Sequence, residues 1–302
     1  MSNQNTAFDV VIIGGSYAGL SAAMTLGRSL RKVLVIDSGK PCNWQTPHSH
    51  NFITQDGETP AAITAKAKEQ VLRYPSVSFY AGTAVKAIKK EECFEVFTDD
   101  NSFFLARKLL LATGITDLIP AIPGFAACWG ISVLHCPYCH GYEVSGKRFG
   151  IFANGETAYE MSKLIHQWTK YITLFTNGAH GLTETQLLKL HSHNITVIEK
   201  EVKSVAHSNG NIHSLIFSDE SESTLDALFA RVPFTQHSSI GQQLGCALND
   251  MGLITVNDFQ LTSVEGVYAA GDNSTMRSLA VAVASGTKAG AFMNKAMIDE
   301  EF

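Results

Sequence analysis

The 302-residue sequence has no block of basic residues: 23 Lys and Arg stand against 28 Asp and Glu, for a net charge of −5. That balance argues against a surface for nucleic acid or anionic lipid and points to a small molecule or another protein as partner. Hydrophobic runs of membrane-spanning length are missing as well. The two long uncharged stretches are residues 10–27 and 118–142; Gly14, Gly15 and Gly19 interrupt the first, and Pro120, Pro123, His135, Pro137 and His140 the second. No positive charge precedes the apolar residues 10–13, and no small-residue cleavage site follows them at signal-peptide spacing, so a cytoplasmic chain is expected. Cysteine is sparse. Six in the whole chain are too few for a disulfide scaffold. Cys42, Cys93, Cys128 and Cys246 are scattered and read as thiols that pack like small hydrophobes, which leaves Cys136 and Cys139 as the one close pair.

What is present is glycine in a particular place. The β-branched run Val10, Val11, Ile12, Ile13 leads into Gly14-Gly15-Ser16-Tyr17-Ala18-Gly19, then an apolar-periodic stretch to Leu30, then Val33 to Ile36. This is strand, tight turn, helix, strand. Asp37 closes the second strand 18 residues beyond Gly19, where a dinucleotide-binding unit places the carboxylate that accepts from a ribose hydroxyl. The start of the helix, with its unpaired N–H groups and positive dipole end, is left for a pyrophosphate. Ser16 departs from the glycine usual at the middle position, but is small enough to let a phosphate approach.

The same pattern occurs twice. Adding 139 to each number carries residues 10–39 onto 149–178 without a gap, so that Gly19 falls on Ala158 and residues 33–36 on 172–175. The second loop reads Ala153-Asn154-Gly155-Glu156-Thr157-Ala158, and its strand ends on Thr176 where the first has Asp37. The second copy is degraded. Between the copies, residues 59–73 read as a helix with Thr59 as cap and Pro60 at its first position. Residues 94–98 and 103–106 read as a hairpin around Asp99-Asp100-Asn101, and residues 108–112 as a further strand ending in Ala112-Thr113-Gly114. After the second copy come a helix over residues 183–191, a strand over 195–199 and a hairpin on Asn209-Gly210. Residues 266–270 form a buried strand delivering Gly271-Asp272, and a helix from Arg277 or Ser278 to Ala296 follows.

On the first glycine loop with Asp37, Ala112-Thr113-Gly114, Cys136-Pro137-Tyr138-Cys139 and Gly271-Asp272, in that order, the chain resembles the low-molecular-weight thioredoxin reductases. The resemblance implies an α/β fold of two Rossmann-like dinucleotide-binding domains, each a three-layer ββα arrangement, the second inserted in the first. Residues 1–116 with 242–302 would bind FAD, and residues 117–241 would form the NAD(P)H-type domain carrying the cysteine pair. It also implies that Gly14, Gly15, Ser16, Ala18, Gly19, Asp37, Ser38, Thr113 and Gly114 hold FAD, that Gln45 and Asn51 lie along it, that Gly271 and Asp272 bind its ribityl chain, and that the backbone at Ser278 and Leu279 meets the isoalloxazine. A homodimer is the family's usual state.

Two thiols separated by two residues can close a disulfide without much backbone movement, and a helix beginning there would lower the pKa of the first. Cys136 would then attack a partner disulfide and Cys139 resolve the mixed disulfide. In the related reductases the second cysteine faces the flavin, which makes Cys139 the one to exchange electrons with it. His140 stands where the typical member has an acidic residue, and an imidazole can exchange protons with a thiolate near neutral pH. The run Cys136 to Glu143 is also similar to the dithiol oxidases of gliotoxin-type natural products. The arginines that clamp NADPH are missing from residues 176–180, and Ala230-Arg231-Val232-Pro233 replaces a glycine-containing segment, so NAD(P)H binding is expected to be weak or absent, unless Arg231 or Lys170 supplies it.

A FAD-dependent dithiol/disulfide oxidoreductase therefore leads, acting on a thioredoxin-like protein or a small dithiol or disulfide. The alternatives are an oxygen-using oxidase of small dithiols and a non-catalytic flavin-binding redox sensor. A zinc site drawing on Cys136, Cys139 and His135 or His140 is a weaker reading, because no second ligand pair stands at zinc spacing. His48 and His50 lie either above the flavin or on the surface.

Overall fold

The computed structural model describes residues 7–302. The chain divides into two compact units: Ala61–Thr116 and Phe234–Phe302 join the N-terminal residues up to Trp44, while Gln45–Pro60 joins Asp117–Pro233. These bounds differ from the expected ones at two places. Residues 45–60 group with the inserted unit because their side chains pack there: a Cβ on Gly130 would lie 3.1 Å from Thr46 Oγ1, and His50 pairs with Glu143. Residues 234–241 belong to the first unit, since the chain crosses back at Pro233. The two crossings run side by side as a two-stranded sheet of Ile115–Asp117 and Phe234–Gln236.

In the first unit, strands Val77–Ala81, Val33–Asp37, Ala7–Ile13 and Phe103–Leu111 pair in parallel in that order. Their apolar residues run nearly unbroken, as strands covered on both faces require; Val10, Val11, Ile12, Val33 and Val35 have no exposure. Each such side chain contributes roughly 1.5–3 kcal/mol of burial. The hairpin Phe94–Thr98 and Phe103–Leu111 turns at Asn101, whose φ of 65° is the left-handed conformation that asparagine tolerates. Residues 103–111 form one continuous strand rather than two, because the N-terminal part pairs with Phe94–Thr98 and the C-terminal part with Val267–Ala269.

Helix Tyr17–Arg28 packs against the terminal helix Leu279–Glu301 along small residues. A Cβ on Gly286 would come within 2.1 Å of the Ala18 carbonyl oxygen, so only glycine permits this approach. Ser21 Oγ donates to Val283 O at 2.8 Å across the same seam. The terminal helix runs five residues past the expected end at Ala296, because its last carboxylates have distant partners: Glu300 pairs with the buried Lys108, and Glu301 with Arg107 and, at 2.7 Å, with Arg31.

The Arg31 and Arg107 guanidiniums hold the Glu301 carboxyl down to about 2. A carboxyl depressed in the folded state stabilises it above the unfolded pKa, and that contribution fades as pH falls through the folded value. Glu301→Gln should lower the melting temperature in neutral buffer, and the gap from the parent chain should close on acidification.

The second unit repeats the first motif in register. Strand Phe149–Phe152, helix Gly155–Ile165 and strand Ile172–Phe175 pair Phe149 with Ile172, just as Val10 pairs with Val33 in the first copy, the same positions displaced by 139. Even a loop hydrogen bond repeats: Gly14 N–H donates to Ile36 O at 2.8 Å, and Ala153 N–H to Phe175 O at 3.3 Å. Five parallel strands stand in the order Thr196–Ile198, Ile172–Phe175, Phe149–Phe152, Ala227–Ala230, Val133–Leu134. One face is covered by helices through Ala158, Met161, Ile165 and Leu190. The other is covered by the antiparallel sheet Val202–Ser208, Asn211–Phe217, Glu222–Thr224 through Val205, Leu215 and Phe217. Helix Glu184–Ser192 starts on a capping box of Thr183 and Gln186.

Candidate functional site

Four parallel strands of the first unit end at one edge of their sheet, and each delivers a segment singled out in the sequence. Ala7–Ile13 hands over Gly14 and Gly15, Val33–Asp37 ends on Asp37, Phe103–Leu111 leads to Thr113 and Gly114, and Val267–Ala269 leads to Gly271 and Asp272. Ligands bind at the carboxyl ends of strands in such sheets. Gly15 N–H donates to Asp37 Oδ1 at 3.0 Å, and a Cβ on Gly15 would meet Asp37 Cβ at 2.8 Å, so loop and carboxylate are locked together. Gly14 has φ +104°, and a Cβ there would lie 2.2 Å from Ala112 O.

Helix Tyr17–Arg28 begins at Ser16 with no side-chain cap and no acidic residue in its first turn. Helix Leu279–Glu301 begins in the same way at Ser278. Both present uncapped, positively polarised N-termini. Gly271 takes φ +87° and donates its N–H to Ser285 Oγ at 3.0 Å, while Arg277 Nε stands 4.0 Å from Asp272 Oδ2. Asn273, fully buried, was not anticipated. Its Nδ2 donates to Leu111 O at 2.9 Å and reaches Thr113 Oγ1 at 3.4 Å, which ties the Gly271-Asp272 turn to the Thr113-Gly114 segment. Its Oδ1 is buried with no protein partner, an acceptor that a ligand's donor would satisfy. Nothing in its immediate sequence marks it beyond following Gly271-Asp272.

Gln45 and Asn51 sit on the 45–60 segment of the second unit, where Asn51 is exposed, has φ 59° and donates its N–H to Asp56 Oδ1 at 2.7 Å. Ser38 directly follows Asp37 and is exposed.

The cysteine pair follows the edge strand Val133–Leu134 of the second unit, also at a carboxyl end. The helix there is a single turn, Pro137–His140, with Cys136 as its N-cap and Pro137 at its first position. Cys139 N–H and His140 N–H both donate to Cys136 O at 3.2 Å. A helix of one turn carries little macrodipole. Gly141 is required behind it: a Cβ there would lie 2.5 Å from Pro137 O and 2.9 Å from the Trp168 ring. That ring meets Tyr138, which is 62% exposed, edge-on at 5.5 Å, so the second of the two residues between the cysteines offers an aromatic side chain to solvent.

Burial pushes the His140 imidazole below its ordinary pKa, opposed by the Glu143 carboxylate and reinforced by the His50 imidazole. The shift favours the neutral imidazole at physiological pH. His50 lies edge-on to it with centroids 6.3 Å apart, while His48 is exposed. Among the described residues no group of three or more His, Cys, Asp or Glu side chains is arranged to hold a metal ion. Cys128 and Cys246 are buried, and burial raises the pKa of both thiols, as inert packing residues require.

The second glycine loop is built differently from the first. Gly155 N–H, at the start of its helix, donates to the carbonyl oxygen of His180 at 2.7 Å. Glu156 stands in the first helical turn, and its carboxylate accepts from Gln186 Nε2 at 2.6 Å. Glu199, just after strand Thr196–Ile198, accepts from His180 N–H at 3.0 Å. Arg231 follows strand Ala227–Ala230 and is exposed, and Lys170 donates to His166 O at 2.8 Å.

Two dinucleotide-type units with a closely spaced cysteine pair at a strand end define the fold of a disulfide oxidoreductase. Residues 8–286 match the family model described as pyridine nucleotide-disulphide oxidoreductase. The chain belongs to that family, and it is a thioredoxin reductase-like oxidoreductase. It is 34% identical over 302 residues to thioredoxin reductase tcpT of Claviceps purpurea, covering 96% of this chain and 94% of the relative. Among solved structures, a putative thioredoxin reductase TrxB from Bacillus anthracis superposes with a TM-score of 0.93 at 32% identity, covering 98% of this chain and 100% of that one. Another, titled HlmI, gives 0.91 at 30% identity, covering 98% and 94%. Members of the family typically bind FAD. No helix among the described residues is long and apolar enough to cross a membrane.

Proposed function

We propose that the protein is a FAD-dependent dithiol oxidoreductase in which Cys136 and Cys139 mediate between substrate sulfur and flavin, with no pyridine nucleotide in the second unit. The observation that carries this reading is the occupied helix start in that unit. Where a dinucleotide's pyrophosphate would sit, Gly155 N–H is already taken by His180 O, and Glu156 and Glu199 put negative charge beside the place for phosphate. With hydride from NADPH disfavoured, a dithiol becomes the electron source. In the first unit two helix N-termini with no acidic residue in the first turn, Asp37 for a ribose and the unpartnered Asn273 Oδ1 all suit FAD. Gly14, Gly15, Ser16, Ala18, Gly19, Thr113, Gly114, Gly271 and Asp272 would hold it. When bound, FAD supplies a two-electron acceptor that can be reoxidised by oxygen.

The chain's own part is sulfur chemistry. A substrate thiolate attacks Cys136 Sγ, the Cys136–Cys139 bond breaks, and Cys139 leaves as thiolate. The second substrate thiol then attacks the mixed disulfide and releases Cys136. His140 accepts the proton of the attacking thiol and can return it to a departing one. The exposed Tyr138 flanks the attacked sulfur and suits an apolar or cyclic dithiol as well as a thioredoxin-like protein. A homodimer in the cytoplasm completes the reading, on family resemblance.

An anaerobic titration of the yellow protein separates the electron donors. A dithiol should bleach the flavin, while stoichiometric NADPH and NADH should leave it essentially oxidised over the same interval. Prompt bleaching by one equivalent of NADPH would return the chain to conventional reductase chemistry.

A further inference from the structure

The loop of residues 45–60 is tightly built. Gly57 N–H donates to Ser49 O at 2.9 Å, Ser49 N–H donates to Glu58 O at 2.8 Å, and Ser49 is 4% exposed. His48 Nδ1 lies 2.9 Å from Gly57 O. The loop fixes one half-buried imidazole. His50 Nδ1 stands 3.6 Å from Asp56 Oδ2 on its own loop and 3.5 Å from Glu143 Oε1 beyond the cysteine pair. Its ring meets that of His140 at 88°, and His48 follows with centroids 6.5 Å from it. The titratable groups around His50 are therefore His48 and Asp56 from its own loop and His140 and Glu143 from the segment behind Cys139.

These distances decide the tautomer. A neutral ring that turned a bare Nδ1 toward two carboxylates would set lone pair against negative charge, so Nδ1 carries the proton and Nε2 is the basic nitrogen. At 3.5 and 3.6 Å the carboxylates act through charge rather than through direct hydrogen bonds. Exposure rises along the row: the His50 side chain is 19% exposed, Glu143 38% and Asp56 65%. The row leads from the base next to Cys139 outward to water.

We infer that His50, held between Asp56 and Glu143, is a positioning residue for proton exit from the cysteine pair: it takes the proton that His140 collects and passes it to solvent. This rests on His140 acting as the base of the thiol exchange. For each dithiol oxidised at the pair, the substrate loses two electrons and two protons. The S–S bond of the product forms, the Cys136–Cys139 bond breaks, and both cysteines are left reduced. When the pair hands its two electrons to the flavin, at least one of the two protons goes with them; the proton left on the protein must leave, and the imidazole row returns unchanged after each passage.

The test uses His50→Gln, Glu143→Gln and Asp56→Asn in the full-length, FAD-loaded protein, with the imidazole protons of His140 titrated by NMR. His50→Gln should raise the His140 midpoint and Glu143→Gln should lower it. Dithiol-driven flavin reduction in His50→Gln should fall about tenfold at pH 7 with little change in KM, its pH limb should shift with the NMR midpoint, and added imidazole should restore part of the rate. Asp56→Asn should show a smaller loss of the same kind. Unmoved midpoints, or a lost rate that imidazole does not rescue, would reduce His50 to a packing residue. The NMR arm needs no substrate, so it can fail while the parent protein still oxidises dithiols. Absence of dithiol turnover in the parent protein, in contrast, would strike the proposed function and leave the midpoints as they are.

Discussion

Replacing Cys139 with serine should give a protein that stays yellow and folded but whose flavin no longer responds to dithiols. The hydroxyl has nearly the volume of the thiol, so packing around Pro137–His140 changes little, but it neither forms a disulfide nor ionises at neutral pH. Loss of a covalent participant removes orders of magnitude of rate, and dithiol-driven bleaching should fall by roughly a thousandfold or more. Anaerobic stopped-flow reads the rate, and the FAD-to-protein ratio reads retention. Cys136→Ser should fail as well but at a different point, because Cys139 keeps its thiol while the sulfur that substrate attacks is gone. Near-normal turnover in Cys139→Ser would mean that electrons bypass the pair.

The second large effect belongs to Gly19. A Cβ there would lie 1.9 Å from the Gly14 carbonyl oxygen and 3.3 Å from Ile12 Cγ2, and the nearer atom is backbone in the turn that leads into helix Tyr17–Arg28, the proposed flavin site. Relief requires moving that turn or the helix. Gly19→Ala should therefore destabilise the first unit by about 3 kcal/mol or more and yield protein largely devoid of flavin. Gly39→Ala is the control: φ is +70°, but nothing lies within 4 Å of the added carbon. That change should cost about 1 kcal/mol of backbone strain and keep the colour. Melting temperature and visible absorbance together separate the two. A Gly19→Ala protein that is fully yellow and normally stable would show that the loop is looser than its contacts indicate.

Much of the fold could be read from local pattern. The repeat at 139 is visible because both copies keep the spacing of strand, turn and strand, and the pairing of Val10 with Val33 and of Phe149 with Ile172 follows from that spacing. The hairpin turns at Asn101 and Asn209-Gly210 are marked by residues that tolerate positive φ. Features that depend on distant partners were not readable. The strand over residues 103–111 looks broken in sequence because its two halves have different neighbours on one side. The terminal helix gains its last residues from Lys108, Arg107 and Arg31. Asn273 matters through Leu111 and Thr113, some 160 positions away. His48 and His50 stood in sequence near the expected cofactor loop, whereas His50 lies against His140, a contact that no spacing within the first hundred residues announces. The missing arginines of the second copy were legible as absences. That its helix start is filled from within was not, because the filling group is a main-chain carbonyl, which every residue carries.

That carbonyl bears on any attempt to re-engineer cofactor preference. Grafting an arginine after the second strand would add a counter-charge for a 2′-phosphate but would leave His180 O seated on Gly155 N–H and Glu156 in the first turn. The incoming anion would have to evict a tethered competitor whose effective concentration is set by the short segment from Thr176 to Gly181, and then sit against two acids. On the proposed reading, conversion to a pyridine nucleotide user would call for remodelling that segment first and substituting Glu156 and Glu199 second; the guanidinium would become useful only after both.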